Sequence, residues 1–440
     1  MKILILNSDS PKNRGDRAIL AGNIALLRAA LPNAEITSLS QYAKRDAAWF
    51  GIKFLGFSPY SISPIALIRL MLAAKRSDLI LWGGGEILKD YTNKLSLYYW
   101  AIKLTLLRLC NSSIYGMFQG IGPTSAKSSR RVIAYTVNQT RAFAVRDAES
   151  KEKLEAWGVR SRVISSFDPA VYCPAPTAAQ GIDFTRSYAE SAGIDPDFLF
   201  NFAGFGLRRW YHYSRSGWLP AKLRFWAKSV ENPAQQTYIS RIAALADSVI
   251  EKNDVNLVFF PMHISASEGD PAFAHEVIAK MRHGARTHVI EHDRLSPSDY
   301  LALIGRAKFF VASRLHSAIL ASVANVPAFC LYYVDKGRLF FEQLGLAEYS
   351  ASIDATQSET EFEAATKVIL RLPHLGASIR GIQSREIAKM RERIYEDFFE
   401  LVSDQVEKPL TVSEELALRR ANSLGISLKP APVIRPRSKP

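Results

Sequence analysis

The chain of 440 residues lacks a long uncharged apolar run and is poor in cysteine. A helix that crosses a membrane needs roughly 18 or more largely apolar residues. The segment from Leu95 to Cys110 comes nearest, but two basic residues interrupt it. The three cysteines, Cys110, Cys173 and Cys330, are scattered without CxxC spacing, so the sequence indicates neither a disulfide framework nor a thiolate zinc site.

The N-terminal run MKILIL is too short to be a signal-peptide core, because it ends at Asn7. We expect this run to form a buried strand and the protein to be cytoplasmic. Neither an internal repeat nor a heptad array is found in the sequence, so no repeat architecture is indicated.

The balance of charge favours an anionic partner. Lysine and arginine number 56 against 42 acidic residues, which is a formal net charge of +14. Phosphorylated small molecules, acidic glycans, lipid head groups and nucleic acids all fit this charge, which alone does not choose among them. Residues 407–440 are basic and contain prolines, which predicts a disordered tail. Such a tail either touches the anionic inner face of a membrane or is solvated without a partner.

Short apolar runs alternate with helical patterns along most of the chain, which predicts parallel sheets with helices on both faces, an α/β fold. In the first part the predicted strands are 2–6, 35–39, 78–82, 113–118, 142–146 and 162–166. A stretch rich in proline, alanine, serine and threonine, 173–196, then breaks the rhythm. In the second part the predicted strands are 199–207, 256–260, 287–290, 308–312 and 328–333. Helical patterns at 359–371 and 379–406 close the chain.

We therefore predict two Rossmann-like, doubly wound domains that face each other across a cleft. The expected divisions are an N-terminal domain at 1–175, a linker at 176–196, a C-terminal domain with the closing helices at 197–406, and the tail at 407–440. Ligands of open parallel sheets bind beyond the carboxyl ends of the strands, so candidate site residues are expected there.

Polar and glycine residues follow several predicted strands of the first domain. The loop NSDSPKNRGDRAIL leads into a helix that starts near Asn13, Gly15 and Asp16, with Asp16 as the expected N-cap. A glycine turn with a capping aspartate also explains these residues without a ligand. The later strands end in Gly83, Gly84, Gly85, Glu86, Gln119 and Asp168. Each alone fits turn chemistry, but together they line one face.

The second domain adds basic residues at strand ends. FGLRRW places Arg208 and Arg209 where a buried strand leaves the sheet, and guanidinium groups bind phosphate or carboxylate bidentately. FFPMH places His263 after the next strand, where a satisfied loop histidine is the simpler interpretation.

The apolar stretch FFVASRLHSAILASVANVPAF contains one polar turn, formed by Ser313, Arg314 and His316. A helix capped by Ser313 would carry Arg314 and His316 on its first turn. The helix dipole, unpaired amides and both side chains would then converge on one spot. A buried polar pair tied to a neighbouring carbonyl is the alternative interpretation.

The segment HVIEH, from His288 to His292, matches a zinc pattern. That pattern requires a helix, which brings both imidazoles onto one face. The predicted strand at 287–290 would hold residues four apart at a separation of about 13 Å, too far to share one ion. We expect no metal here, and no metal or cofactor elsewhere.

In their order, the motifs resemble those of the polysaccharide pyruvyl transferase family. The matching segments span about residues 13–346 and are NRGDRAIL, DLILWGGGEIL, FQGIGP, AVRDAES, FDPAVY, GLRRW, FVASRLHSAILASVANVPAF and YVDKGRLFFEQLGL. The Ser-Arg-Leu-His turn is the most specific of them. The resemblance implies a GT-B-like fold and a transferase that moves pyruvate from phosphoenolpyruvate onto two hydroxyls of a sugar, forming a ketal. The acceptor would be a cell-surface or exported glycan or a lipid-linked oligosaccharide.

The resemblance also implies roles for individual residues. Arg314 and His316 would be catalytic, and we expect His316 to be the general acid. Donor binding on the C-terminal side is assigned to Arg208, Arg209, Ser313 and Lys336. Relatives often have Arg-Pro-Trp where this chain has Arg208-Arg209-Trp210, so the choice between the two arginines is left open. The other candidates, His263 among them, would bind the acceptor or line the cleft, with Asp16, Glu86 and Asp168 as candidates for acceptor binding or base work.

Two other functions fit parts of the sequence. A glycosyltransferase that uses a nucleotide sugar would employ the same fold and would bind its diphosphate at a helix N-terminus. A non-catalytic nucleic-acid-binding protein would explain the positive charge, but basic and aromatic residues cluster only around RRWYHYSRSGW. We expect no nucleic-acid partner.

Overall fold

The computed structural model of the chain describes residues 1–7, 12–90, 94–210, 232–264 and 269–408. Its first sheet is parallel and has seven strands. These are β1 (Lys2–Asn7), β2 (Glu35–Leu39), β3 (Lys53–Leu55), β4 (Leu79–Gly83), β5 (Ile114–Gln119), β6 (Ala142–Val145) and β7 (Arg162–Ser165). They pair in the order β3-β2-β1-β4-β5-β6-β7.

The second sheet is parallel and has six strands. These are β8 (Phe202–Gly206), β9 (Asn256–Phe259), β10 (Thr287–Val289), β11 (Phe310–Ala312), β12 (Ala328–Tyr332) and β13 (Ser350–Ser352). They pair in the order β10-β9-β8-β11-β12-β13. In both sheets the strand order reverses beside the first strand of the sheet, so each sheet is doubly wound and has a switch point where ligands bind.

Helices connect successive strands and cover the sheet faces. Between the strands of the first sheet lie α1 (Arg14–Ala30), α2 (Ala43–Phe50), α3 (Pro64–Arg76), α4 (Leu95–Cys110), α5 (Lys127–Val137) and α6 (Ala148–Ala156). After β7 follow α7 (Ala178–Ala192), α8 (Pro233–Asn253), α9 (Asp270–Ile278), α10 (Pro297–Ile304), α11 (Leu315–Val323), α12 (Asp335–Gln343) and α13 (Glu359–Leu401).

The central strand β4, LILWG, shows why the strands of this fold appear in the sequence as uninterrupted runs of apolar residues. All five residues are buried, because helices cover both sheet faces. Leu79 and Leu81 join the core on the side of α1, whereas Ile80 and Trp82 join a second core beneath α3 and α4. This alternation follows from the two-residue period of a strand.

The predicted strands are all observed, with ends shifted by a few residues. The three-residue strands β3 and β13 were not predicted, because KFL and SAS are too short and too polar to form an apolar run. The two closing helical patterns form one helix, α13, which continues through Pro373. Buried residues on either side, such as Ile369 and Ile379, hold it in place through that proline.

The range 176–196, expected as a linker, carries the helix α7. Thr177 and Gln180 form a capping box at its start, and Gly193 ends it in the left-handed conformation. This range, which we expected to link the two domains, is therefore helical for most of its length. The predicted tail lies outside the described residues from residue 409 onward.

Hydrogen bonds join the start of α1, in the first half, to the loop after β9, in the second half. The Arg14 amide donates to the Met262 carbonyl at 2.8 Å, and the Ile264 amide donates to the Lys12 carbonyl at 2.9 Å. Helix α13 returns from the second sheet to the first, where Arg391 Nε donates to the Val171 carbonyl at 2.7 Å. The start of α1 is thus fixed against the loop that follows β9.

Within the described ranges, no helix combines the length and the apolar character needed to cross a membrane.

Replacing Gly22 by alanine is expected to destabilise the fold. An added Cβ would lie 1.9 Å from the carbonyl oxygen of Pro169, a backbone atom of the turn that follows β7. Overpacking of this kind costs about 1–3 kcal/mol. The matched control is Gly381→Ala on the exposed side of α13, where a Cβ meets nothing within 4 Å. Denaturant unfolding should show a lower midpoint for Gly22→Ala alone, and equal midpoints for the two variants would contradict this packing.

Candidate active site

A cavity of about 290 Å³ opens where the carboxyl ends of the two sheets face each other. Its sequence-predicted lining residues are Asn13, Asp16, Gly85, Glu86, Arg208, His263, Arg314, His316 and Lys336. The other lining residues were not among the candidate site residues, and they are Tyr60, Ile87, Lys89, Ser96, Trp100, Arg146, Met262, Leu315 and Tyr333. Both halves of the chain therefore contribute to one site, as the strand-end rule requires.

His316 and Asp168 meet across the cleft. His316 lies in the first turn of α11, after β11, whereas Asp168 follows β7 of the other sheet. His316 Nε2 lies 3.4 Å from Asp168 Oδ2. Asp168 also accepts from Arg146 Nη1 at 2.9 Å and from the Ala170 amide at 3.0 Å. Burial would raise the pKa of Asp168, but His316, Arg146 and the amide outweigh burial and hold that pKa well below its usual range. Asp168 is therefore an anion that faces the imidazole of His316.

Glu86 stands among three cations. Its carboxylate lies 3.5 Å from Arg146 Nη2, 3.6 Å from Lys336 Nζ and 3.7 Å from Lys89 Nζ. Burial would raise the pKa of Glu86, but Lys336, Lys89 and Arg146 together lower it to about 2. Such a carboxylate stays ionised and is a weak base. Its main effect is to hold three basic side chains at the cavity.

Arg314 is fixed by a buried carboxylate. Its Nε and Nη2 donate to the two oxygens of Asp270 at 2.8 and 2.6 Å, a bidentate pair. Asp270 also accepts from the amides of Met262 and His263. The pair sets the direction of Arg314, which lines the cavity from this fixed position.

The two adjacent arginines lie on different sides. Arg208 is buried and lines the cavity, with its Cζ 4.4 Å from the centroid of the Tyr333 ring. Arg209 instead pairs with Glu276 of α9. Of the two, Arg208 is therefore the one that faces the cavity.

Both predicted N-caps are shifted in the structure. The N-cap of α1 is Asn13 rather than Asp16, because Asn13 Oδ1 accepts from the amides of Gly15 and Asp16 at 3.0 and 3.4 Å. The N-cap of α11 is Arg314 rather than Ser313, and within the described chain no side chain closes this N-terminus. Ser313 lies behind the site, with its amide donating to the Gly206 carbonyl. The amides of α11 are thus better suited to an anion than those of α1.

Four other predicted residues support the cavity from behind. Gly15 packs against the His316 ring so closely that a Cβ would lie 2.3 Å from His316 Nδ1. Gln119 is buried and donates to the Trp82 carbonyl at 2.8 Å. Gly83 belongs to β4, and Gly84 joins it to the lining residue Gly85 with a φ of 108°.

The HVIEH segment begins as the strand β10, as predicted, rather than as a helix. His288 Nε2 lies 3.1 Å from the Tyr188 hydroxyl, which gives this histidine a structural partner. In the part of the chain that the structure describes, no group of three or more histidine, cysteine or acidic side chains is arranged to hold a metal ion.

Lys89 and Tyr333 are lining residues that no sequence motif singled out as candidates. Arg146 stands at a strand end, after β6 and within the motif AVRDAES, but it was not among the candidate site residues. Tyr333 follows β12 in the same way. Burial would raise the pKa of Tyr333, but Lys336, Arg208 and Arg314 outweigh burial and lower it to about 8. The lowered pKa of this phenol therefore reflects the positive charge around it in the cavity.

Comparisons with known proteins agree with this architecture. A sequence profile of the polysaccharide pyruvyl transferases matches residues 13–335. The UDP-GlcNAc 2-epimerase of Neisseria meningitidis, solved with UDP-GlcNAc bound, is similar with a TM-score of 0.54 and 11% identity, over 92% of this chain and 100% of that one. The UDP-GlcNAc 2-epimerase of Methanocaldococcus jannaschii has a TM-score of 0.53 and 12% identity, over 84% of this chain and 93% of that one. A glycosyltransferase of Rickettsia africae has a TM-score of 0.51 and 9% identity, over 93% of this chain and 99% of that one. These similarities show the fold, which is GT-B-like.

The phenol of Tyr333 is expected to lose its proton between about pH 7 and 9, because its lowered pKa lies near 8. A pH titration of near-ultraviolet absorbance should show one phenolate forming in this range. Tyr333→Phe should remove that step, whereas Tyr332→Phe should retain it. Arg208→Gln should move the step to higher pH, because it removes one of the three cations. An unchanged titration in Tyr333→Phe would contradict the assignment.

Proposed function

Because the chain belongs to the polysaccharide pyruvyl transferase family, we propose that it transfers the pyruvyl group of phosphoenolpyruvate to two hydroxyls of a glycan sugar. The product is a ketal, and inorganic phosphate is released. The acceptor is a glycan or lipid-linked oligosaccharide destined for the cell surface, modified on the cytoplasmic side.

The observation that carries this proposal is the positive charge of the cavity. Among the described residues, its lining includes five cationic side chains, Lys89, Arg146, Arg208, Arg314 and Lys336, and two carboxylates, Asp16 and Glu86. Phosphoenolpyruvate carries a phosphate and a carboxylate on a three-carbon unit, so it matches several cations at short range. A volume of about 290 Å³ lies at the lower end of small-molecule sites, which favours a compact donor.

We assign the donor to the C-terminal side of the cavity. Arg208, Arg314 and Lys336 come from successive strand ends of the second sheet, and the N-terminus of α11 adds amides without a side-chain cap in the described chain. Of the predicted donor residues, Arg209 and Ser313 act indirectly, because Arg209 pairs with Glu276 and Ser313 lies behind the turn.

In the proposed reaction, His316 donates a proton to the methylene carbon of the donor. One sugar oxygen then bonds to the adjacent carbon, and the second does so as the bond to phosphate breaks. Of the two hydroxyl protons, one restores His316 and the other leaves with phosphate, so the step needs no further reactant. Asp168 stabilises the protonated imidazole through its negative charge. His316 thus serves as general acid in each turnover.

The acceptor hydroxyls are assigned to the side of α1. Asp16 of α1 lines the cavity on this side, and its carboxylate would accept from a sugar hydroxyl. Asn13, at the start of the same helix, also lines the cavity and adds a second polar group.

A nucleotide-sugar glycosyltransferase is the second candidate. It is favoured by the neighbouring structure of an epimerase with UDP-GlcNAc bound, which has the same fold. A diphosphate would also find cations and a helix N-terminus in this cavity.

The two candidates separate in one assay. Purified protein should release phosphate from phosphoenolpyruvate only when a suitable glycan acceptor is present, and it should leave nucleotide sugars intact. His316→Gln should lower kcat by about 100-fold or more, as expected for loss of a general acid. The matched control is His275→Gln, which changes an exposed histidine of α9 and should retain full activity. Turnover of nucleotide sugars alone would overturn the proposal, and normal turnover by His316→Gln would remove its assigned role.

Gly15→Ala is expected to lower kcat by about 100-fold with little change in KM for the donor, because the added Cβ displaces the His316 ring. The histidine ring can move away, so the unfolding midpoint should stay close to that of the wild type. Gly56→Ala is the control, since a Cβ there meets nothing within 4 Å. A Gly15→Ala variant with normal kcat would show that the ring position does not limit the reaction.

A further inference from the structure

The exposed large apolar side chains are concentrated in one part of the protein. Among the described residues, twelve such side chains are exposed, and ten of them lie between Tyr60 and Tyr135. In the described chain after Tyr135, which runs to residue 408, there are none. Scattered exposure is normal for a folded protein, but a concentration of this kind marks an interaction surface.

Two neighbouring helices, α3 and α4, carry most of these side chains. Helix α3 exposes Ile65, Ile68 and Leu72, whose spacing places them on one face. Helix α4, which packs against α3, exposes Leu95, Tyr98, Ile102 and Leu109 at the same kind of spacing. Ile62, just before α3, is 87% exposed. We call these eight side chains the α3–α4 surface.

A shallow groove of about 110 Å³ runs between the two helices. Apolar side chains line most of it, among them Ile62, Leu67, Ile102 and Leu106. Lys103 lies in the groove and donates to the Pro59 carbonyl. The α3–α4 surface therefore combines exposed apolar side chains with a groove that is itself mostly apolar.

The same part of the chain holds most of the protein's net charge. Residues 47–146 contain thirteen lysines and arginines and three acidic residues, which gives +10 of the total +14. Among those acids, Asp90 is buried, Glu86 lies among the cations of the cavity, and Asp78 accepts from the backbone amide of Lys2. From residue 91 to residue 146 the sequence has no acidic residue at all.

Basic side chains flank the apolar rows. Arg69 and Arg76 stand three residues before and four residues after Leu72, so they share its face of α3. Arg108 precedes the exposed Leu109 on α4. On α5, which packs against α4, Lys127 and Arg131 are exposed. Apolar side chains bordered by cations are the pattern of a helix that lies in a membrane interface.

The surface also reaches the active site. Ser96 and Trp100 of α4 line the cavity, as does Tyr60, which precedes α3 and is itself exposed. The exposed Leu95 and Tyr98 flank Ser96 within the same turn of α4. A binding partner that covers the α3–α4 surface would therefore also contact the rim of the cavity.

We propose that the α3–α4 surface binds an anionic lipid bilayer, with its apolar side chains in the interface and the flanking basic side chains at the head groups. Both components of such binding, apolar burial and attraction to anionic lipid, are supplied by this one face. A second copy of the chain is a poor occupant, because two faces of this charge repel each other. One consequence rests on the function proposed above: the acceptor sugar would reach the cavity while still attached to its lipid.

Vesicle flotation tests the binding without any catalysis. The full chain should float with vesicles of phosphatidylcholine and phosphatidylglycerol, and much less with phosphatidylcholine alone. The triple variant Ile65→Ser, Ile68→Ser and Ile102→Ser should bind the anionic vesicles more weakly, by a factor of about ten or more, because it removes apolar area from the interface. These positions are exposed, so circular dichroism and the melting temperature should stay unchanged. Absence of flotation by the wild type would overturn the proposal.

A charge variant supplies an independent arm. Arg69→Glu with Arg76→Glu should weaken binding to the anionic vesicles by about tenfold or more. The matched control is Lys252→Glu with Lys308→Glu, which changes the net charge equally at exposed positions of the second half and should bind nearly as the wild type does. If the two double glutamate variants lost vesicle binding equally, the contact would lie elsewhere and the proposal would be overturned. The same conclusion would follow if the triple serine variant and the Arg69→Glu, Arg76→Glu variant both bound as the wild type does.

Two further outcomes are distinguishable. A concentration-dependent dimer in lipid-free solution that the triple serine variant abolishes would assign the surface to a second copy and overturn membrane binding. Failure of pyruvyl transfer with normal flotation would instead overturn the proposed function and leave the surface standing. If both hold, the triple variant should keep its turnover on a short glycan acceptor and lose turnover on a lipid-linked one.

Discussion

The contact between His316 and Asp168 is the constraint on which the site depends. The histidine belongs to the second sheet and the aspartate to the first, so their 3.4 Å separation exists only when the two halves are correctly seated. The first residues of α1 bond to the loop after β9 and so join the two halves, while α1 packs on the Pro169 turn of its own half at Gly22. Gly22 therefore fixes α1 within the first half, and Gly15, which packs against the His316 ring, acts between the two halves.

Charge at the cavity is organised rather than merely abundant. Buried carboxylates hold the basic groups in place, Asp270 for Arg314 and Glu86 for Lys336 and Lys89. Each such pair fixes a direction for a cation and leaves the lining rich in positive charge. An anionic ligand would therefore meet donors that are already oriented, which lowers the ordering cost of binding.

Most of the fold and about half of the cavity lining could be predicted from the sequence. Buried parallel strands produce long apolar runs, and strand ends point to residues such as Arg314 and His316. Arg146 and Tyr333 also stand at strand ends, but their place in the site depends on contacts with Asp168 and Arg208 that only the folded chain shows. The caps could not be placed from the sequence, because α1 begins earlier than predicted, with Asn13 accepting from the amides of Gly15 and Asp16, and α11 begins at Leu315 without a side-chain cap in the described chain.

Helix α13 has a consequence for the order of folding. The first sheet receives contacts from residues that follow the second sheet in the chain: the Tyr115 hydroxyl donates to Asp404 at 2.5 Å, and Arg141 pairs with the same carboxylate. During synthesis on a ribosome, the first half therefore emerges long before the residues that complete it. Its assembly ends only after the second half has formed and has carried α13 back, so the two halves mature as one cooperative unit.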